Sequence, residues 1–363
     1  MQGLMRQRGS WMLGLHGNAF VQYIETGGDR GDRQFGSINW VMGMAQRELG
    51  GGQLLVKTMF SLEPVTVGRC GYPTLVASGE QCRGVPLHDR QHPHDVFMEV
   101  AAEYRRAVSD ALAIGIYGGP AGEPALGPTA FPHRLSSMPN PIAPVAHHWL
   151  DSTHVSFGVV TAGLYGRTWK AESSAFNGRE PDDRRYDFDT AALDSYSGRL
   201  WFMPTPAWAL QVSAGHLNDA EAHEDGSRED VKRITASATY HRLVNSRLWA
   251  TTAAWGQNRE ADHTTPAVVV ETAFDVTATD VLFARGEVVQ KTAADLDLPI
   301  EHDEPFTVRK VQFGYTRWLA KGRGTRVGVG GSVGISLVPD ELEASYGGAA
   351  LGELAVYFTI QPH

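Results

Sequence analysis

The sequence lacks any long hydrophobic run. Although 42% of its 363 residues are hydrophobic, no apolar stretch approaches the roughly 18 residues of a membrane-spanning helix. Helical periodicity is also scarce, and residues 96–108 (VFMEVAAEYRRAV) form the one convincing helix candidate. These two absences exclude a bundle of transmembrane helices and disfavour an all-helical fold.

Positive charge is also in short supply. The chain has 32 Lys and Arg residues against 41 Asp and Glu residues, a formal net charge of -9, and it has no basic tail. This balance excludes nucleic acid as a main partner. The segment MQGLMRQRGSW shows neither the apolar core nor the cleavage site of a secretion signal, so for an exported protein we expect a natural start that differs from the given one.

Cysteine is nearly absent. Cys70 and Cys82 are separated by GYPTLVASGEQ, a short Gly- and Pro-containing loop that is able to close into a disulfide. Such a bridge stabilises a fold by roughly 3 kcal/mol in the chain-entropy model and indicates an oxidising compartment. The alternative is a pair of free buried thiols.

What the sequence does have is alternation with a period of two. In GELAVYFTIQ (352–361), Leu354, Val356 and Phe358 fall on one face, whereas Glu353 and Thr359 fall on the other. Stretches of about ten such residues predict sixteen strands. Their predicted bounds are 13–24, 34–47, 52–62, 95–108, 111–117, 152–164, 166–177, 193–203, 206–217, 232–242, 245–257, 265–276, 279–291, 305–318, 324–335 and 350–361.

Short and long connections alternate between these strands. The long polar ones are 63–94, 118–151, 178–192, 218–231 and 336–349. This asymmetry predicts an all-β fold, a transmembrane antiparallel β-barrel of about 16 strands with short periplasmic turns and long outer loops. Residues 1–363 are expected to form this single domain, with loops 63–94 and 118–151 folding over or into the lumen. A soluble sandwich would not collect its long loops at one end, and a propeller would show a repeat of roughly 40–50 residues.

Two segments require a choice of face. Segment 95–108 is interpreted as a strand, with a helix as the alternative; Met98, Val100, Ala102 and Tyr104 are expected to face lipid and Glu99, Glu103 and Arg105 the lumen. In INWVMGMA, Ile38, Trp40, Met42 and Met44 share a face that we expect to point to lipid. This placement favours membrane packing over a thioether site for Cu(I).

Several blocks of the sequence resemble known outer-membrane proteins. The end LGELAVYFTIQP is similar to their terminal strand, although Phe358 is not the last residue. The blocks FGSINWVMGMA, HDRQHPHD, GEPALGP, FPHR, HHWLDSTH and FNGREPD, spread over nearly the whole chain, look like an uncharacterised Gram-negative outer-membrane family. The strand count resembles that of general porins, and a weaker resemblance, in residue type alone, is to outer-membrane copper-resistance proteins. These resemblances imply a barrel in the bacterial outer membrane and no established activity.

Histidine is concentrated in two predicted outer loops. HDRQHPHD ends the first loop and HHWLDSTH ends the second, so both descend into the barrel from the same side. Imidazole and carboxylate together suit Zn, Cu or Ni. The candidate metal ligands are His88, His92, His94, His147, His148, His154, Asp89, Asp95 and Asp151. The alternative is a hydrogen-bonded plug without metal.

A pore needs charges on its lining. The second loop, rich in proline, is expected to fold inward and constrict the channel. The predicted constriction comprises Lys57, Glu99, Glu103, Arg105, Glu123, His133, Arg134, Lys170 and Glu172. Because both signs of charge are present, no ion preference follows.

The acidic segment FNGREPDDRRYDFD (176–189) is a further candidate. Its carboxylates, Glu180, Asp182, Asp183, Asp187 and Asp189, offer oxygen ligands for Ca²⁺ but do not have EF-hand spacing. A solvated loop is the alternative.

The sequence thus predicts an outer-membrane channel for passive diffusion of small solutes or ions past a loop-formed constriction. The alternative is a transition-metal-binding or metal-resistance protein. No GxSxG elbow, P-loop or dinucleotide fingerprint is present, so no enzymatic activity is expected. The predicted partners are outer-membrane lipid, lipopolysaccharide, small solutes or ions, and a second copy of the chain in a homo-oligomer.

Overall fold

The structure, a computed structural model, describes residues 3–222, 227–260, 263–299, 304–322 and 324–363. Most of these described residues are in β-strands, and three short α-helices lie among them. The strands are β1 (Leu4–Arg8), β2 (Trp11–Thr26), β3 (Arg33–Leu49), β4 (Gly52–Phe60), β5 (Tyr72–Cys82), β6 (Val85–Gln91), β7 (Phe97–Ser109), β8 (Leu112–Ala121), β9 (Val159–Gly166), β10 (Trp169–Phe176), β11 (Ser195–Thr205), β12 (Trp208–Ala222), β13 (Arg228–Val244), β14 (Arg247–Glu260), β15 (His263–Asp275), β16 (Asp280–Lys291), β17 (Phe306–Lys321), β18 (Thr325–Leu337) and β19 (Ala350–Pro362). The helices are α1 (Glu63–Thr66), α2 (His147–Leu150) and α3 (Asp340–Tyr346), with 3₁₀ turns at Phe131–His133, Ser152–His154 and Ala294–Leu296.

Sixteen of these strands form one closed antiparallel barrel. Each of β2–β4 and β7–β19 pairs with the next strand of the wall, and β19 returns to β2 over the register Glu353↔Thr26 to Ile360↔Ala19. Strand β1 extends the wall by pairing with the first residues of β2. The predicted all-β barrel of 16 strands is therefore confirmed.

The two faces of the wall differ as the alternation predicts. In β19, Leu354, Val356 and Phe358 are 45%, 49% and 37% exposed, whereas Glu353 and Thr359 are only 6% and 1% exposed. The outer surface is therefore apolar and the inner surface polar, the arrangement of a lipid-embedded barrel. No helix in the described ranges is long and apolar enough to span a bilayer.

Short turns and long loops lie at opposite ends of the barrel. Turns such as 50–51, 110–111 and 245–246 close one end. The other end, here called the outer end, carries segments 61–96, 122–158, 177–194 and 338–349. The bounds of the loop predicted at 218–231 are wrong, because β12 continues to Ala222 and β13 begins at Arg228; residues 223–226 of that prediction lie outside the described residues.

Two predicted strand segments also need revision. The start of the strand at 152 is wrong, because Ser152–His154 is a 3₁₀ turn and β9 begins only at Val159. The residues between belong to a segment that packs inside the barrel. The helical alternative for 95–108 is likewise wrong, since β7 pairs with β4 and β8 along its length.

The predicted lipid-facing orientation is wrong for Met98 and for the face of β3 that carries Trp40 and Met42, whereas Glu99 faces the lumen and Ala102 the lipid, as predicted. Between Phe60↔Phe97 and Met59↔Glu99 the register shifts, so Met98 is an extra residue in a β-bulge and turns inward. Its side chain is buried in a cluster that also includes Trp40, Met42, Met59 and Phe157, with Met44 packed against it. In β3 both faces carry apolar residues, so alternation alone does not indicate which face is internal.

The first long outer segment, residues 61–96, contains its own small hairpin. It begins with α1 and continues into β5 and β6, which pair with each other and not with the wall. A disulfide joins Cys70 to Cys82, as predicted. The hairpin is irregular, with positive φ angles at Val76, Glu80 and Asp89, which explains why strand alternation did not reveal it.

The second long segment, residues 122–158, crosses the inside of the barrel. Its two ends meet at the outer rim, where Gly122 and Ser156 exchange backbone hydrogen bonds of 3.0 and 2.9 Å. Between them, the Gly127 N–H donates to Ser213 Oγ on β12, and the Asn18 side chain on β2 donates to the Met138 carbonyl. Because β12 and β2 lie on opposite sides of the barrel, the segment spans the lumen.

The same segment supplies an internal hydrophobic core. Val145, Ala146, Trp149 and Leu150 pack against inward residues of the wall. The wall residues in this cluster are Ala254, Ala267, Val269, Val289 and Val308. Each of the four segment residues is at most 3% exposed, so apolar burial contributes to holding the segment inside.

The orientation of the wall predicts different costs for two valines of similar exposure. Val356 is 49% exposed on β19 and Val85 is 52% exposed in the β5–β6 hairpin. We expect Val356→Arg to lower the free energy of unfolding by about 2–4 kcal/mol, because it places a charge in the hydrocarbon layer. Val85→Arg, which faces water, should change it by less than about 0.5 kcal/mol. Equilibrium urea unfolding in lipid vesicles measures both, and equal effects would contradict the orientation.

Candidate functional site

Five imidazoles meet where the two inward segments face each other. Segment 61–96 provides His92 and His94, and segment 122–158 provides His147, His148 and His154. Successive ring centroids lie 6.3, 5.2, 5.2, 5.3 and 5.4 Å apart in the closed order His92, His94, His154, His147, His148 and back to His92. None of these residues is more than 8% exposed. We call these five residues the histidine cluster.

Four of the five histidines have a carboxylate beside Nδ1, and three of these four form one group. His147 Nδ1 lies 2.8 Å from Asp151 Oδ1, and His148 Nδ1 lies 2.8 Å from Glu180 Oε1. His92 Nδ1 lies 3.0 Å from Glu80 Oε2. These contacts place a proton on each Nδ1, which leaves each Nε2 as an acceptor.

One ring nitrogen of each of these three histidines lies within 4.8 Å of the other two. Because each Nδ1 faces a carboxylate, the Nε2 atoms are the nitrogens left to bind a ligand. Each is buried, and no hydrogen-bonding group of the described protein residues reaches it. Buried polar atoms are normally satisfied, so this convergence of three acceptors requires an explanation.

The remaining pair of the histidine cluster, His94 and His154, has a similar arrangement. His94 Nδ1 lies 3.0 Å from Glu63 Oε2, and His154 Nδ1 donates to the Asp151 carbonyl at 2.8 Å. The Nε2 atoms of His94 and His154 are 3.1 Å apart. Asp151 therefore orients two imidazoles, one through its side chain and one through its backbone.

Burial keeps at least one histidine of the cluster uncharged at neutral pH. Burial lowers the pKa of His147 to about 4, despite the nearby Asp151 carboxylate. Burial alone would raise the pKa of Asp151, but the Arg134 guanidinium outweighs it and holds that pKa well below its usual range. At neutral pH a neutral imidazole, the form that binds metals, therefore lies against an ionised carboxylate.

Three of the predicted metal ligands lie outside the histidine cluster. His88 Nδ1 lies 3.1 Å from the Asp295 carbonyl oxygen. Asp89 pairs with Arg30 at 2.6 Å and accepts a hydrogen bond from the Val76 N–H. Asp95 lies 3.4 Å from Arg185. The structure brings His92, His94, His147, His148, His154 and Asp151 together, and it leaves these three apart.

The position of the other carboxylates at the histidine cluster was not predictable from the sequence. Glu63, Glu80 and Glu180 come from α1, the β5–β6 hairpin and segment 177–194, respectively. Their spacing to the histidines follows no motif. Gly79 is a better signal, because a Cβ at this position (φ +113°) would lie 2.1 Å from the His148 ring. The glycine next to Glu80 thus makes room for an imidazole.

The residues predicted for a constriction form groups on the inner wall. Lys57 pairs with Glu99 at 2.6 Å, and Lys170 pairs with Glu172 at 3.0 Å. Arg199, which alternation alone would have assigned to the lumen, joins Glu172 to Glu123 at 3.2 and 3.1 Å. Both lysine side chains remain 24% exposed, so this side of the wall is open to solvent.

The other predicted constriction residues lie at different depths. Glu103 and Arg105 form an ion pair near the turn end of β7, where Arg105 also covers the Tyr165 ring. His133 packs against Trp40, with ring centroids 4.6 Å apart. Arg134 is buried on segment 122–158, where it pairs with Asp151 and also with Glu271 of β15.

The acidic outer loop has divided roles. Asp182, Asp187 and Asp189 place carboxylate oxygens within 4.8 Å of one another. Asp182 also pairs with Arg184, and Asp183 with Arg69. Glu180 is directed away from this group to His148. Calcium binding at the three aspartates stays a prediction.

The closed wall, the apolar outer face and the polar lumen define a bacterial outer-membrane β-barrel with a porin fold. No protein-family profile matches the chain, and no curated protein is significantly similar to it. Among solved structures, it is similar to an anion-selective porin from Comamonas acidovorans, with a TM-score of 0.58, 11% identity and 97% and 99% of the two chains covered.

Two further solved structures share the fold. The outer membrane channel DcaP of Acinetobacter baumannii has a TM-score of 0.53 and 10% identity, with 100% of this chain and 99% of that chain covered. The trimer form of in-vitro folded OmpT from Vibrio cholerae has a TM-score of 0.51 and 9% identity, with coverage of 96% and 99%. At such identities the likeness concerns the fold alone.

The buried ion pairs of Arg134 predict a large effect on stability. Its side chain is 2% exposed between Asp151 and Glu271. We expect Arg134→Ala to lower the free energy of unfolding by about 3–5 kcal/mol, because it leaves the buried Asp151 carboxylate without a cationic partner and leaves Glu271 with Arg285 alone. Arg184→Ala is the matched control; its side chain is 75% exposed beside Asp182, and the effect should stay below about 0.5 kcal/mol. Urea unfolding in vesicles compares them, and a neutral Arg134→Ala would refute the buried network.

Proposed function

We propose that the protein is a passive outer-membrane channel, not an enzyme, and that small solutes or ions diffuse through it past a constriction formed by segments 61–96 and 122–158. The observation that carries this proposal is the path of segment 122–158 across the lumen, from Ser213 of β12 to Asn18 of β2. A wall of sixteen strands leaves an aqueous lumen unless something occupies it, so the segment determines the width of the passage.

The charged inner wall supports the same proposal. Lys57 and Lys170 are partly exposed beside the buried carboxylates Glu99 and Glu172. Fixed charges that line a narrow passage affect which ions enter it. Two proteins with this fold are an anion-selective porin and an outer membrane channel, which is compatible with diffusion through the lumen.

The barrel is expected to have three kinds of neighbour in the membrane. Its apolar outer face is expected to contact membrane lipid, and its outer loops lipopolysaccharide. We further propose that the barrel associates with copies of itself, since one structure with this fold is described as a trimer.

Replacing the crossing segment tests the constriction. Because Gly122 and Ser156 are already paired at the rim, residues 123–155 are replaceable by a short Gly-Asn turn without moving β8 or β9. We expect the shortened variant to show much larger conductance steps in planar bilayers than the intact protein. Folding of the variant is checked by heat-modifiable gel migration. A folded variant whose steps equal those of the intact protein would overturn the constriction.

Removal of lumen cations tests the role of the wall charges. We expect the double variant Lys57→Gln, Lys170→Gln to shift the reversal potential in a salt gradient toward cation selectivity, because two positive charges leave the lumen wall. Lys321→Gln is the matched control, because Lys321 is exposed at the turn end of β17. An identical shift in the control, or no shift in the double variant, contradicts a passage beside these lysines.

A further inference from the structure

We propose that the Nε2 atoms of His92, His147 and His148 bind one divalent transition-metal ion inside the barrel, of the Zn²⁺, Cu²⁺ or Ni²⁺ class. This proposal is independent of solute diffusion, since it rests on the two inward segments and not on an open passage.

The three ligand atoms already converge. One ring nitrogen of each histidine lies within 4.8 Å of the other two, and none of the three Nε2 atoms has a hydrogen-bonding partner among the described protein residues. A tetrahedral ion with metal–nitrogen distances of about 2.0–2.1 Å separates its ligands by about 3.3–3.4 Å. Closure by roughly an ångström is within the reach of small side-chain rotations of three imidazoles.

The outer shell matches what metal-bound histidines use. Such a histidine donates its other ring N–H to a carboxylate or carbonyl, which fixes the ring and its tautomer. Here Asp151, Glu180 and Glu80 each occupy that position, at 2.8, 2.8 and 3.0 Å from the three Nδ1 atoms. A plug held by hydrogen bonds alone would not require three carboxylates to direct three acceptor atoms at one another.

The carboxylates are themselves held in place. Glu80 pairs with the buried Arg185, and its backbone N–H donates to Glu180 Oε2 at 2.9 Å. Asp151 pairs with the buried Arg134. Each orienting group therefore has a second contact that fixes it, which is the support that a precise metal site needs.

The donor set selects the class of metal. Three neutral imidazoles suit Zn²⁺, Cu²⁺ and Ni²⁺, whereas Ca²⁺ and Mg²⁺ take oxygen ligands. Three histidines also leave a fourth position open to water or another ligand. A further imidazole lies close by, since the ring centroid of His154 is 5.2 Å from that of His147.

The ion would join two segments that are distant in the sequence. His92 directly follows β6, beyond the loop that the disulfide closes, and His147 and His148 begin α2 in the crossing segment. Because the site is buried, we expect the ion to bind while the protein folds, and to exchange slowly afterwards.

The test measures metal retained by the whole protein. The chain is unfolded in denaturant that contains a chelator and is then refolded in detergent with Zn²⁺, Cu²⁺ or Ni²⁺. After dialysis its metal content is measured. We expect about one ion per chain in the wild type and in His88→Ala. His88 is the matched control because it lies in the same segment but bonds to the Asp295 carbonyl. His147→Ala should retain far less metal.

A milder variant and a spectroscopic measurement cover the case in which His147→Ala does not fold. Glu180→Gln keeps all three ligands and should weaken binding by about 10–100-fold, the usual cost of losing an outer-shell partner. X-ray absorption on the wild type should show imidazole nitrogens at about 2.0–2.1 Å for Zn²⁺. Refolded wild type that retains none of the three ions, or an absorption spectrum without imidazole ligands, would overturn the proposal.

Discussion

Closure of the backbone hydrogen-bond network is the constraint on which the rest of the structure depends. In a bilayer each unpaired backbone group is costly, so a sheet crosses it only when its edges meet. The pairing of β19 with β2 supplies that closure. Alternation then places the apolar side chains outside and polar groups such as Thr252 and Gln312 inside. The lumen is therefore a polar cavity, in which a loop is able to satisfy its own backbone.

Asp151 connects the wall of the barrel to the histidine cluster. Its carboxylate pairs with Arg134, which also reaches Glu271 on the wall, and it contacts His147. Its carbonyl accepts from His154. A buried charge network of this kind fixes the crossing segment in one position. The same geometry underlies a narrow passage and a metal site, yet each proposal stands if the other fails.

The sequence predicted the barrel well because the lipid imposes a strict period of two on each strand. It predicted less well wherever the inner and outer faces are both apolar. In β3 the face carrying Trp40 and Met42 points inward, and the bulge at Met98 reverses the local alternation. Neither the hydropathy of these residues nor their spacing distinguishes the two orientations.

The site was only partly predictable for a different reason. The histidines are concentrated in two segments, so their convergence followed from the topology. Glu80 is brought to the histidine cluster by an irregular hairpin, and Glu180 by a third outer loop. Such contacts depend on how the loops fold in three dimensions. The spacing of His88 from its neighbours likewise gave no sign that it points to Asp295.

The central claim is that residues 122–158 lie packed inside the barrel. Amide hydrogen exchange of the protein in lipid nanodiscs, read by mass spectrometry, tests it most directly. Peptides covering 140–151, in which Ala143, Ala146 and Leu150 are 0% exposed, should exchange as slowly as the wall strands. Exchange as fast as that of the exposed residues around Arg184 would contradict the account.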